Sequence, residues 1–302
     1  MPRRSAVLTA LAVLAFLDVT RAPAQQPAAD SLSVALRARI ATERSAVIGV
    51  YFRDLVGGDS LANDADLRFH AASTMTVPVM IQVFRDADAG MLRLDARTSV
   101  HNAFRSLADG STFTLDATDD SDSSLYRQVG HEVRVRELVR LMITRSSNLA
   151  TNVLIEGVGA ERVQASMRGL GADSMRVLRG VEDGAAYRAG LNNTTTARAL
   201  GTIFAALANG EAASAAACGA MLDILSDTED RAGIPAGLPP RTRVAHKTGE
   251  ITAVRHDGGV VFVRGRPRYV LVILTRGIGD VAVANRLLAD VARLVHGHAT
   301  SR

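Results

Sequence analysis

The chain has 302 residues, of which 47% are hydrophobic and 22% charged, so it can bury a large core as one domain or two closely packed ones. The net charge is only +4, and the arginines are spread along the whole chain rather than gathered in basic runs among aromatic residues. This distribution argues against a nucleic-acid partner. The single cysteine, Cys218, excludes an internal disulfide.

The first 24 residues are predicted to be a signal peptide. Arg3 and Arg4 precede an apolar stretch over 6–17 that is too short to span a membrane, and Ala-Pro-Ala at 22–24 fits a small-x-small cleavage site. We therefore expect a secreted, periplasmic protein that begins near residue 25. No cysteine lies directly after the apolar stretch, so no stable membrane anchor is expected.

Next along the chain, hydrophobic spacing predicts a helix over 31–43, and β-branched and aromatic residues predict a strand over 46–56. A second strand is predicted within 60–69. The middle is mainly helical, with predicted helices at 74–88, 131–144, 149–156, 160–169, 195–209 and 212–226. Strands return at 243–247, 253–264 and 268–275, and an amphipathic helix is predicted over 280–296.

This order predicts an α/β (α+β) fold in a single domain over 25–302. Strands near both ends of the chain most economically share one sheet, which would be antiparallel and flanked by helices. The α/β part would cover about 30–69 and 213–297, and an all-helical subdomain about 70–212. A doubly wound sheet is excluded because strands and helices do not alternate.

Three short motifs carry possible chemistry. Ser73 lies at the start of an apolar helix, where exposed N–H groups favour a developing negative charge, although a serine there is most simply a helix cap. Ser146-Ser147-Asn148 lies between two predicted helices, where a capping role is again the simplest. Lys247-Thr248-Gly249 ends a strand and contains the only lysine of the chain, and a strand-terminal lysine beside a hydroxyl suits a carboxylate ligand.

Taken in this order, the motifs resemble those of class A β-lactamases and related penicillin-recognising serine hydrolases. The resemblance covers about 30–297, and similar stretches also occur at 69–73, 142–144, 150–152, 191–196 and 244–249. It implies the fold described above and a ligand that is a β-lactam or a peptidoglycan-like peptide. It implies no cofactor and a monomer.

The resemblance also implies roles for single residues. Ser73 would be the nucleophile that forms an acyl-enzyme. Ser146 would relay a proton to the leaving nitrogen, and Asn148 would hold the amide side chain of the substrate. Lys247 and Thr248 would hold the substrate carboxylate, with Gly249 allowing a close approach.

A carboxylate that activates the deacylating water is expected in the loop before Thr194. Glu182 follows Ser146 by 36 residues, which matches the family, and is favoured over its neighbour Asp183. The loop from Glu182 to Thr194 looks shorter than usual and lacks the family's Arg-x-Glu-Pro form. Either carboxylate could also be a solvated loop residue.

Two positions depart from the family pattern. Ser147 replaces an aspartate that does not contact the substrate, which we expect to cost only local stability. Thr76 replaces the lysine of the Ser-x-x-Lys motif, and a threonine hydroxyl is too weak a base to take the proton of Ser73. Slow acylation is therefore expected, with Glu182 and a water as a substitute base.

Two other function classes remain open at the sequence level. One is a D-alanyl-D-alanine peptidase-like serine hydrolase, which usually lacks the deacylating glutamate. The other is a non-catalytic relative that binds β-lactams or peptidoglycan, which the missing lysine motivates. A zinc hydrolase is not expected, because His70, His246 and His256 do not follow metal-ligand spacing.

Overall fold

The computed structural model describes residues 26–301, so the predicted signal peptide lies outside the described residues. The helices are α1 Gln26–Ile40, α2 Thr76–Asp88, α3 Val135–Thr144, α4 Asn148–Val158, α5 Ala160–Gly169, α6 Gly184–Arg188, α7 Ala197–Ala208, α8 Ala215–Ser226 and α9 Val281–Thr300. Three 3₁₀ helices cover Ala72–Met75, Ser123–Gln128 and Ile234–Gly237.

The strands are β1 Val47–Asp54, β2 Ser60–Asn63, β3 Phe69–His70, β4 Arg97–Ser99, β5 Phe104–Arg105, β6 Thr112–Phe113, β7 Glu132–Arg134, β8 Thr194–Thr195, β9 Val244–Ile251, β10 Val254–Val263 and β11 Arg266–Arg276. Five of them form one antiparallel sheet in the order β2-β1-β11-β10-β9. The N-terminal and C-terminal segments therefore share a sheet, whose two edge strands are β2 and β9. This confirms the predicted fold class.

Each face of the sheet is covered by a different hydrophobic core. Along β11, Leu271 and Ile273 point to one face, and Val270, Val272 and Leu274 point to the other. The first face packs on α1 and α9. The second packs on α7 and is continuous with the core of the helical middle part of the chain.

The helical middle also holds three short antiparallel strand pairs that the sequence did not predict: β3 with β8, β4 with β7, and β5 with β6. Two predicted helices consequently began too early. Residues 132–134 pair with β4, so α3 begins only at Val135, and residues 194–195 pair with β3, so α7 begins at Ala197. Thr196 caps α7 by accepting a hydrogen bond from the Ala199 N–H.

Candidate active site

Ser73 lies in the 3₁₀ turn that joins β3 to α2 and is partly exposed. Ala72, directly before it, has a φ of 45°, a conformation that is costly for a residue with a side chain. The turn is held by hydrogen bonds from the Ala72 N–H to His70 Nδ1 (3.0 Å) and from Thr74 Oγ1 to the Ala71 carbonyl (2.6 Å). This backbone fixes Ser73 ahead of the first turn of α2.

Gly249 explains how closely β9 approaches this turn. A Cβ atom at Gly249 would lie 3.1 Å from Thr74 Cγ2, 3.2 Å from Ala72 Cβ and 3.3 Å from the Ala71 carbonyl. Any larger residue would push β9 away from the turn. The glycine of the Lys-Thr-Gly motif therefore brings the outer edge of the sheet next to Ser73.

Lys247 is fully buried, and its ammonium group holds the Ser146 side chain. Lys247 Nζ donates to Ser146 Oγ at 2.6 Å and to the Thr248 carbonyl at 3.0 Å. Burial lowers the pKa of Lys247 to about 8, against the opposing charges of Asp230 and Asp257. Ser146 has a φ of 61°, so a strained backbone presents its hydroxyl to the lysine. Two motifs 101 residues apart thus meet at one hydrogen bond.

Asn148 is the first residue of α4, and Ser147 caps that helix by accepting from the Ala150 N–H. The carboxylate that Ser147 lacks is supplied from elsewhere in the chain. Asp120 accepts hydrogen bonds from the Asn148 and Leu149 N–H groups, both at 3.0 Å. A negative charge therefore still lies at the N-terminus of α4, where the helix dipole favours it.

The two loop carboxylates have different environments. Asp183 is buried, and its oxygens accept hydrogen bonds from Ser106 Oγ, the Leu107 N–H and the Ala186 N–H. Glu182 faces the cavity that contains Ser73, and no residue among 26–301 donates a hydrogen bond to its carboxylate. Partial burial and the charge of Asp119 raise the pKa of Glu182. Glu182 is therefore the carboxylate that is free to act as a base.

Thr76 is buried at the start of α2, and its hydroxyl donates to the Ser73 carbonyl at 2.8 Å. The hydroxyl proton is therefore committed to the backbone. It supplies neither a base nor a positive charge at the position where the family pattern has a lysine.

His70 lines the same cavity as Ser73, but it is not available as a base. Its Nδ1 atom accepts from the Ala72 N–H, so in the neutral ring the proton lies on Nε2. Burial and the charge of Arg179 lower the pKa of His70, which keeps the ring neutral. The two other histidines that the sequence analysis considered are buried: His256 Nε2 donates to the His70 carbonyl, and His246 pairs with Asp257.

Two adjoining cavities meet at Ser73. The larger, about 590 Å³, also contains Asn148, Glu182 and the exposed ring of Tyr187. The smaller, about 190 Å³, is lined by the residues of the other two motifs: Ser146, Lys247 and Thr248. All the residues that the sequence predicted for the site therefore border one continuous opening, apart from Thr76, which lies beneath it, and Gly249, which shapes its wall.

Arg255 is a site residue that the sequence analysis missed. It lies on β10, lines the smaller cavity with Lys247, and donates to Asp230, Glu250 and Asn285. Burial opposes the ionised form of Asp230, but the charge of Arg255 and nearby donors, among them Thr248, lower the pKa of this carboxylate. The chain contains many arginines, and only the antiparallel register of β9 and β10 brings this one to the site.

Among residues 26–301, no group of three or more histidine, cysteine, aspartate or glutamate side chains is arranged to hold a metal ion. No helix in that part of the chain is long and apolar enough to cross a membrane.

A serine before a helix, a second serine held by a buried lysine, and a carboxylate facing the same opening define a serine hydrolase that works by acyl transfer. The family profile described as "Beta-lactamase enzyme family" matches residues 31–299. The chain therefore belongs to the β-lactamase enzyme family.

Individual relatives agree with this assignment. A β-lactamase of Streptomyces fradiae is 30% identical over 97% of this chain and 96% of its own length, and one of Streptomyces lavendulae is 29% identical over the same shares. A solved β-lactamase structure from Sphaerobacter thermophilus has a TM-score of 0.77 at 27% identity, covering 90% of this chain and 98% of its own. A variant of PBP-A, solved as an acyl-enzyme complex with penicillin G, has a TM-score of 0.75 at 26% identity, covering 88% and 95%.

Proposed function

We propose that this protein is a serine β-lactamase that opens β-lactam rings through an acyl-enzyme at Ser73, and that Thr76 makes its acylation step slow. The hydrogen bond from Lys247 Nζ to Ser146 Oγ, in the cavity that Ser73 shares, carries the proposal. This bond joins Ser146, which lines the same cavity as the nucleophile Ser73, to Lys247, the only lysine of the chain. A helix cap at Ser146 alone would not require a buried ammonium group beside it.

The reaction follows from the places of these side chains. Ser73 Oγ attacks the lactam carbonyl, and backbone N–H groups at Ser73 and along the outer edge of β9 stabilise the oxyanion. The C–N bond of the ring then breaks, and Ser146, whose hydroxyl is hydrogen-bonded to Lys247, delivers a proton to the leaving nitrogen. The proton that Ser73 lost then passes from its base through water to Ser146, so that the hydroxyl of Ser146 and the base are both restored. Lys247 and Thr248 bind the substrate carboxylate, and Asn148 binds the amide side chain.

Deacylation is assigned to Glu182. It takes a proton from a water molecule whose oxygen attacks the ester carbon, and the proton then passes to Ser73 Oγ as the ester bond breaks. The same carboxylate, again through a water, is the base left for the first step because Thr76 cannot accept the serine proton. We expect the loss of direct base assistance to slow acylation about 10²–10⁴-fold.

The test is the mass of the intact protein, followed together with the release of ring-opened penicillin during incubation with a penicillin. Because acylation limits turnover in the parent protein, we expect release over minutes to hours with little adduct on the protein, whereas in Thr76→Lys both release and an adduct of one ring-opened penicillin should appear much faster. Ser73→Ala should give no adduct. Rapid turnover by the parent protein would contradict the proposed defect, and an adduct that survives Ser73→Ala would contradict the nucleophile.

The similarity to PBP-A favours one alternative, a relative that forms an acyl-enzyme but does not hydrolyse it. Substitution of Glu182 separates the two. In Thr76→Lys, where acylation no longer depends on Glu182, the further substitution Glu182→Gln should trap the adduct at Ser73 if the protein is a β-lactamase. If the adduct already persists equally long in Thr76→Lys with Glu182 intact, the second function is the correct one.

We also propose that the protein is exported to the periplasm after removal of residues 1–24 and acts as a monomer. The basic and apolar segments before residue 25 support the export, and the resemblance to class A β-lactamases supports the monomer. N-terminal sequencing of the exported protein and light scattering of the purified protein test both statements.

A further inference from the structure

The hairpin of β5 and β6 contacts the loop that carries Glu182. Ser106, in the turn of the hairpin, donates through Oγ to Asp183 Oδ1 at 2.8 Å, and the Leu107 N–H donates to Asp183 Oδ2 at 2.8 Å. Ser106 and Asp183 are 5% and 2% exposed. Because Asp183 also accepts from the Ala186 N–H (2.9 Å), one buried carboxylate joins the hairpin, the loop and α6.

The other side of Glu182 is also anchored. The Asn152 side chain on α4 accepts from the Val181 N–H at 2.7 Å and donates to the Val181 carbonyl at 3.0 Å. Glu182 itself has a φ of 58°, which a residue with a side chain adopts only at a cost. Its backbone conformation therefore depends on the two residues beside it, each held by a different element.

We propose that Asp183 and Ser106 are positioning residues for deacylation. Their hydrogen bond fixes the backbone that follows Glu182, so that the Glu182 carboxylate stays directed at the water and the ester on Ser73. The inference rests on the proposed function, because it concerns the step assigned to Glu182. Neither residue touches the substrate. Because Glu182 is also the base left for acylation in the parent protein, the variants below are made in Thr76→Lys, where the lysine takes the proton of Ser73.

Ser106→Ala removes the contact with little change in volume. With a preformed penicillin adduct, freed of excess penicillin and followed by intact mass, we expect its half-life to lengthen roughly 10-fold to 100-fold, because small misplacements of a catalytic group cost rate on this scale. The rate of adduct formation should change less than about 3-fold. In steady state, kcat and KM should fall together with kcat/KM nearly unchanged wherever deacylation limits turnover.

Two further variants separate positioning from loss of folded protein. Ser106→Thr retains a hydroxyl at this place and should restore most of the parental half-life. Ser111→Ala, in the same hairpin, removes an exposed hydroxyl that bonds only Asp109, and it should leave the half-life unchanged. Partial unfolding would lower the amount of adduct without changing the lifetime of the adduct that forms.

The outcomes are distinct. A Thr76→Lys protein that forms no adduct at Ser73 overturns the proposed function and this inference with it. An adduct whose half-life is the same in Thr76→Lys with and without Ser106→Ala overturns this inference alone. A longer half-life in Ser106→Ala that Ser106→Thr restores supports it.

Discussion

At the level of single residues, the charge of Lys247 controls how the site binds an anion. Burial lowers the pKa of Lys247 to about 8, so the ammonium form is present at pH 7 and is lost as the pH rises through this value. We expect KM for a carboxylate-bearing β-lactam to rise between pH 7 and pH 9.5, measured from initial rates of adduct formation.

Lys247→Arg is the comparison for this prediction. A guanidinium stays charged over the whole range, although it does not fit the place of a compact ammonium, so the variant should be slower at every pH. Its KM should be nearly constant between pH 7 and pH 9.5. A parallel rise of KM in both proteins would assign the pH effect to another group.

Glu182 acts as a base only when it is ionised, so its raised pKa moves the loss of activity in acid to a higher pH. Burial and the charge of Asp119 are the main causes. Asp119→Asn should therefore lower the pKa of Glu182 and move the acid limb of the deacylation rate to lower pH. Asp116→Asn, on the same exposed loop, should leave the limb in place, and an equal shift in both variants would refute the assignment to Asp119.

The sequence predicted the residues that lie in short motifs better than those that depend on distant contacts. Ser73, Ser146 and Lys247 were found because each lies in a short pattern of residues. The predicted end of the strand at Lys247 was wrong, because β9 pairs with β10 as far as Ile251. Glu182 and Asp183 were harder to separate, because the difference between them is made by Ser106, 77 residues earlier. Nothing near Asp183 in the sequence indicates that partner.

At the level of elements, the N-terminus of α4 depends on Asp120. Its carboxylate is nearly buried and accepts from three backbone N–H groups, those of Asp122, Asn148 and Leu149, and from the hydroxyl of Tyr126. We expect Asp120→Ala to reduce the free energy of unfolding by about 2–4 kcal/mol, since buried donors lose their acceptor. Urea denaturation followed by circular dichroism measures this.

Asp116→Ala is the matched control, because Asp116 is exposed and bonds only Thr118. It should change the free energy of unfolding by less than about 0.5 kcal/mol. Equal losses in the two variants would mean that Asp120 contributes no more than a surface turn does. Since Asn148 and Ser146 flank the same junction, Asp120→Ala should also slow adduct formation.

The predicted bounds of helices and strands match the structure best where a hydrophobic pattern extends over many residues. The strands and helices of the main sheet layer were placed to within a few residues at most ends. The short pairs β3 with β8 and β4 with β7 were missed because two or three residues carry no measurable periodicity. The paired residues lie 33 or more positions apart in the sequence, and β3, the strand that leads into Ser73, belongs to one of these pairs.

At the scale of the whole molecule, the site depends on a sheet built from both ends of the chain. Ser73 follows the N-terminal strands, whereas Lys247 lies on β9 near the C-terminus, and the two are held together through β1, β11 and β10. The order of strands in the sequence predicted this shared sheet. The position of Arg255 could not be predicted, because it depends on the register between β9 and β10.

This connection predicts that damage to the core far from the site removes activity and structure together. Leu288 of α9 is fully buried in the core on the face of the sheet opposite the helical part. Leu288→Ala should lower the free energy of unfolding by about 3 kcal/mol, because it leaves a cavity. Val281→Ala, at the exposed start of the same helix, should change it by less than about 0.5 kcal/mol.

In Leu288→Ala, the urea midpoints for circular dichroism and for adduct formation at Ser73 should shift by the same amount. A shift in circular dichroism alone would mean that the helical part holds the site without the sheet.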